Sequence, residues 1–270
     1  MKTNNIIRNT LKGMAIGGSM TIPGVSGGTV AIILNIYDEL ISSVSQFFKQ
    51  TKKSLLTLST VGFGAVLGML MLSKLILFAK DNFYLPIMYL FMGAVLGSVP
   101  MLYKKANISK INFKVLLYPI LGASLVLLID FIPKDALNFN SVNDIEFYIL
   151  VFVVGLILSV ALILPGISAS YMLLIFGIYE KTFSSIHNMD FLFLGILLLG
   201  VCTGVCATTK VLENVMNRYP QATYLLIIGF VLASLREVFP GIPLGIDIIV
   251  CLLTLFSGIL VTLLLSNVKD

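Results

Sequence analysis

Histidine and cysteine are scarce in this chain, with one histidine and three cysteines in 270 residues. His187 stands in a polar stretch beside Asn188 and Asp190, and no His/Cys/Asp set has metal-ligand spacing. Neither a metal centre nor His-based nucleophilic catalysis is expected, no cofactor is called for, and serines without a nearby general base read as hydrogen-bonding groups. Cys202, Cys206 and Cys251 all lie inside apolar runs, which suits small buried residues better than redox chemistry.

Charge is scarce as well. Charged residues make up 11% of the chain and hydrophobic ones 58%, whereas a soluble domain carries roughly a quarter charged residues. The composition predicts an all-α integral membrane protein. The net charge of +5 does not point to nucleic acid, because Lys and Arg sit in short loops between apolar runs, where topology explains them.

Apolar runs predict full spans over 54–79, 84–103, 113–132, 190–212, 221–239 and 245–266, each near the roughly 20 residues that cross a bilayer as a helix. The basic stretch Met1 to Lys12 has the look of a signal-peptide start, but Gly17 to Gly28 holds five glycines and no long apolar core. A retained segment is expected there.

Two regions, 11–47 and 147–187, each contain an apolar stretch, a Pro-Gly break and a second apolar stretch. If both return to their own side, Lys2, Arg8, Lys12, Lys49, Lys52, Lys53, Lys104, Lys105, Lys110 and Lys114 share one face, and the loop with Lys134, Asp135, Asp144 and Glu146 falls opposite. The positive-inside rule prefers that re-entrant reading, with both termini cytoplasmic.

The halves repeat. Pro23-Gly24-Val25-Ser26 recurs as Pro165-Gly166-Ile167-Ser168 at an offset of 142 (165 − 23), and Ile36-Tyr37-Asp38 recurs as Ile178-Tyr179-Glu180. Lys74, Gly93, Val95, Leu96 and Ser98 match Lys210, Gly229, Val231, Leu232 and Ser234 at an offset of 136 (210 − 74). The expected architecture is one membrane domain of two repeats, 1–140 and 141–270, each a re-entrant helical hairpin plus three spans. That odd number of crossings makes it an inverted-topology repeat.

The breaks carry the candidate site. Proline ends one helix, and glycine permits backbone shapes that other residues resist. Irregular backbone at membrane depth must face protein or water. In the first break Pro23, Gly24, Ser26, Gly27, Gly28 and Thr29, and in the second Pro165, Gly166, Ser168 and Ser170, would present free amides and hydroxyls to a phosphate or carboxylate. A simple kink in a buried helix is the plainer account of one break; two symmetric copies favour a site. Lys74 and Lys210 stand at equivalent places in apolar spans, where an anion would offset the cost of a buried cation and snorkelling is the plain alternative. Arg236 offers bidentate bonds to a phosphate, with Glu237 beside it as a competing partner. Asp38, Glu39 and Glu180, near the ends of the second hairpin arms, are candidates for ion or proton coupling, or a solvated hairpin end.

Through Lys12-Gly13-Met14, the run Ile22-Pro23-Gly24-Val25-Ser26-Gly27-Gly28-Thr29, Ile36 to Ile41, the Pro165 repeat and the Gly93 to Pro100 stretch, the chain resembles the bacterial and archaeal DUF368 family of polytopic membrane proteins. The resemblance implies a plasma-membrane transporter, not an enzyme, that returns undecaprenyl phosphate or a similar polyprenyl phosphate from the outer to the inner leaflet for cell-wall synthesis. Membrane lipids are then the other partners, and a homodimer is allowed without being required. Two other readings stay open: a polyprenyl-pyrophosphate phosphatase, and an ion-coupled carrier of a small anion. Against the phosphatase, Gly27 and Ala169 stand where the related-looking Pro-Gly-x-Ser-Arg-Ser motif has arginine.

Overall fold

An apolar stretch of about 20 residues can satisfy its backbone within itself in lipid only as a helix. The structure, a computed structural model, describes residues 3–22, 25–108, 112–129, 131–133 and 143–267. Among these residues the first half forms α1 (Thr3–Ser19), α2 (Gly27–Ile33), α3 (Tyr37–Ser45), α4 (Thr51–Asn82), α5 (Tyr84–Lys105) and α6 (Phe113–Ile129). The second half forms α7 (Asp144–Ile163), α8 (Ala169–Ile175), α9 (Tyr179–His187), α10 (Phe191–Arg218), α11 (Pro220–Val238) and α12 (Asp247–Asn267), with no strand among the described residues.

Six helices, α4, α5, α7, α10, α11 and α12, are long and apolar enough to cross a membrane. Their outer faces leave large apolar side chains such as Leu70, Phe78, Leu199 and Leu253 exposed, as lipid contact requires. The chain is a multi-pass membrane protein. Two lengths differ from expectation. The span expected over 113–132 is a 17-residue helix that ends at Ile129, about 26 Å long at 1.5 Å per residue. Conversely α7, placed by the sequence in a hairpin arm, runs 20 residues, because a capping box starts it early. The Asn143 side chain accepts from the Glu146 amide at 3.0 Å while Glu146 reaches back to the Asn143 amide at 3.4 Å.

The two elbows of the hairpins are built alike. After α2, the Asn35 and Ile36 amides donate to the Ile32 and Ala31 carbonyls at 2.8 and 2.9 Å. After α8, those of Gly177 and Ile178 donate to Leu174 and Leu173, both at 3.1 Å. This is the Schellman closure, which needs a left-handed residue, here Asn35 at φ 51° and Gly177 at φ 70°. Ile36 and Ile178, each 1% exposed, bury the apolar residue that accompanies such a closure. The recurring Ile-Tyr pair is thus the start of the outgoing arm.

Helix pairing recurs too. α1 packs along α4 as α7 packs along α10, and α5 along α12 as α6 along α11. Each seam is made by glycine. A Cβ on Gly13, Gly17, Gly64 or Gly68 would lie 1.9 to 2.2 Å from a backbone oxygen across the α1/α4 seam. Gly155 and Gly200 mark the α7/α10 seam, Gly93 and Gly258 the α5/α12 seam, and Gly122 and Gly229 the α6/α11 seam, each with a facing carbonyl at 2.0 to 2.6 Å. Small residues that let backbones meet are how helices associate where lipid removes the hydrophobic drive. The pairing interleaves the two halves of the chain, since two seams join a helix of one half to a helix of the other.

Candidate functional site

The two breaks come together. The Gly166 amide donates to the Thr29 hydroxyl at 3.2 Å, and the Tyr37 hydroxyl donates to the Ile163 carbonyl at 3.0 Å, both buried ties between the halves. Gly166 holds φ 84° with its α-carbon face against the Phe230 carbonyl, 2.2 Å from where a Cβ would be. A side chain at that position is excluded twice, by backbone shape and by space.

Beside these ties lies a cavity of about 1340 Å³, larger than most small-molecule sites. Ser26, Gly27 and Gly28 of the first break line it, and so do Ser168, Ala169 and Ser170 of the second. Apolar side chains such as Ile16, Leu127, Ile163 and Val205 complete the lining, and the charged residues on it are Lys80, Arg236 and Glu237. Polar hydroxyls, two cations and one carboxylate thus stand on an otherwise apolar lining, with a net positive charge suited to an anionic headgroup on an apolar body.

The serines are not equivalent in bonding. The Ser168 hydroxyl accepts from the Tyr171 amide at 3.4 Å and caps α8, whereas Ser26, at the same place before α2, makes no side-chain cap bond. Among the described residues the Ser26 hydroxyl has no counterpart to that bond.

Other expected site residues lie elsewhere. Pro23 and Gly24 fall outside the described residues. Thr29 is 3% exposed and accepts the Gly166 amide, so it ties the breaks instead of lining the cavity; Pro165 and Gly166 are buried beside it. Lys74 and Lys210 are exposed on α4 and α10, away from the cavity lining. Asp38 pairs with Lys105 at 2.7 Å and accepts from the Tyr224 hydroxyl at 3.0 Å. Glu39 accepts from Thr57 at 3.1 Å, and Glu180 is exposed on α9. None of these three carboxylates lines the cavity.

Lys80 is the cation that sequence reading passed over. It has no equivalent in the repeat, since the same offset from Lys80 leads to Met216 (216 − 80 = 136). Its one signal was a place in the last turn of a long apolar helix. Outside the spans, Asp190 caps α10 by accepting from the Phe193 amide at 3.2 Å, and that bond, with Lys181 nearby, holds its carboxyl below the usual range.

Comparison with known proteins fits this picture. A polyprenyl-phosphate transporter of Staphylococcus aureus (strain NCTC 8325 / PS 47) is 34% identical over 276 residues, 96% of this chain and 96% of that protein. A polyprenyl-phosphate transporter of Vibrio cholerae serotype O1 (strain ATCC 39315 / El Tor Inaba N16961) is 30% identical over 253 residues, 88% of this chain and 79% of that protein. No solved structure matches the chain. Residues 16–244 match the VCA0040-like family, described as undecaprenyl phosphate translocase-like, and with relatives of this identity over most of its length the chain belongs to that family.

Proposed function

We propose that the chain moves a polyprenyl phosphate, undecaprenyl phosphate or a close analogue, from the outer to the inner leaflet of the plasma membrane by alternating access, returning the carrier lipid for cell-wall polymer synthesis. The observation that carries the reading is that both breaks wall one chamber with Lys80 and Arg236 on its lining. The two relatives named for this substrate supply its identity. The phosphate sits among Ser26, Ser168, Ser170 and the two cations while the tail stays in apolar surroundings.

Inverted repeats with hairpins that return to their own side are the architecture proposed to do this. Gly166 meets Phe230, near the middle of α11, which supports a break at mid-membrane depth and an α7 that stops there. Met88, early in α5, packs with Val238, the last residue of α11, which supports α5 and α11 running in opposite directions. With the basic clusters cytoplasmic, both termini are placed on that side, and Lys80 and Arg236 lie toward the outer leaflet. Gly27 and Ala169 line the chamber where the phosphatase-like motif has arginine, so transport is the reading adopted.

The test is surface labelling of undecaprenyl phosphate in cells lacking or overproducing the protein. The outer-leaflet level should rise in the first and fall in the second; no change in either strain removes the proposal, and release of inorganic phosphate by purified protein replaces it with hydrolysis. A residue comparison sharpens it. Arg236→Ala is expected to lower lipid return about tenfold, equivalent to ~1.4 kcal/mol from loss of a charge-assisted bond, while Lys74→Ala and Lys210→Ala leave it within about twofold.

A further inference from the structure

The two hairpins are built alike but seated differently. α3 and α9 have nine residues each and follow the same elbow. Yet Ile41 is 5% exposed and its repeat equivalent Phe183 (183 − 41 = 142) is 53% exposed. Three positions on, Val44 is partly buried whereas Ile186 at the same offset is 58% exposed.

The cause is what each arm touches. α3 is wedged between α4 and α10, and four side-chain links tie this arm to α4, α5, α10 and α11. Asp38 binds Lys105 and Tyr224, Glu39 accepts from Thr57, and the Gln46 amide donates to Glu213 at 2.5 Å. α9 rests on α8 and the start of α10 and has no comparable packing on α4. Its ion pair, Lys181 to Asp190 at 3.3 Å, is local, and among the described residues it makes no hydrogen bond or ion pair to the first half. Tyr179 and Phe183 of this loosely held arm line the chamber, as do Tyr37 and Ile41 of the seated one.

The repeat specifies the seat that α9 lacks. α3 lies against α10, so the equivalent seat for α9 lies against α4. Gln46 corresponds to Asn188 (46 + 142) and Glu213 to Leu77 (213 − 136), which makes Asn188 and Leu77 the counterpart of the Gln46–Glu213 contact. Both are exposed in this structure, with Leu77 40% exposed.

We infer that α3 and α9 are the chamber's two alternating gates: α3 is latched in this structure and α9 is open, and in the opposite state α9 seats on α4 with Asn188 beside Leu77 while the α3 links part. The inference rests on the transport reading for its purpose, though not for its geometry. The Asp38–Lys105 pair, with side chains 37% and 26% exposed, is of the partly solvated kind that breaks reversibly. Exchange of one packed arrangement for another is the usual form of such a switch. On the proposed topology the latched gate is cytoplasmic, so the chamber here is the one loaded from the outer leaflet.

The test uses full-length protein in native membranes, with Cys202, Cys206 and Cys251 replaced by alanine and two engineered pairs, Gln46→Cys with Glu213→Cys and Leu77→Cys with Asn188→Cys. A bifunctional thiol reagent of about 10 Å reach is used, since long side chains leave their α-carbons too far apart for a disulfide. Both pairs should cross-link, and adding Asp38→Asn should raise the yield of the second pair at least twofold and lower that of the first. Failure of the Gln46/Glu213 pair overturns the latch. Failure of the exposed Leu77/Asn188 pair in both backgrounds, in protein whose first pair does cross-link, overturns the motion of α9. Yields indifferent to Asp38→Asn overturn its role. The readout needs no substrate, so gates that move in a protein that leaves surface lipid unchanged reject the transport reading alone.

Discussion

Leucine at Ser26 is expected to abolish lipid return while the protein still inserts and accumulates. Ser26 lines the chamber at the first break, and its side chain makes no cap bond, so the substitution removes no hydrogen bond on which the fold depends. It does replace a hydroxyl with an apolar branch where a phosphate must pass. A polar group moved against apolar surface without a compensating bond costs roughly 2–7 kcal/mol, and the low end of that range already slows passage about thirtyfold. Ser168→Leu should also stop transport but with a lower yield, because Ser168 caps α8 and loss of a cap costs about 1 kcal/mol. Outer-leaflet lipid, compared at equal membrane abundance by immunoblot, checks both. Full activity in both variants would take the breaks out of the mechanism.

Gly17→Leu should have the largest effect on assembly. A Cβ there would stand 1.9 Å from the Ala65 carbonyl oxygen and 2.5 Å from its carbon. Both obstacles are backbone, so no rotamer change relieves them and α1 must move off α4. Overpacking typically costs 1–3 kcal/mol when side chains can give, and about that or more is expected here. Gly62, on the same α4, has nothing within 4 Å of its Cβ position, and Gly62→Ala should behave as the native chain. The measurement is yield and protease resistance of detergent-extracted protein, and a normal yield for Gly17→Leu would contradict the closeness of that seam.

The breaks were legible in the sequence because proline and glycine mark them without any knowledge of packing. The elbows were not read from the sequence, although Asn35 and Gly177, 142 positions apart (177 − 35), are residue types that tolerate a left-handed turn. Which lysine lines the chamber was not legible. On an apolar helix such as α4, hydropathy does not distinguish the side facing lipid from the side facing a cavity, so Lys74 looked better placed than Lys80. The α3 links were hidden for another reason: Asp38 finds Lys105 and Tyr224 on helices 67 and 186 residues away, a matter of tertiary position. The glycines at four-residue spacing, as in Gly64 and Gly68, were in plain view. Spacing marks a helix as part of a seam without saying which helix completes it.

The α5 seam needs the Leu255 carbonyl against Gly93, a residue synthesised 162 positions later (255 − 93). At a translation rate of about 5–20 residues per second, α5 waits roughly 8 to 30 s in the membrane with its glycine groove open to lipid. Insertion of the first half of the chain therefore precedes its completion, and neither half expressed singly would own all the surfaces it needs. The two halves are alike in sequence, but each finishes the other's fold.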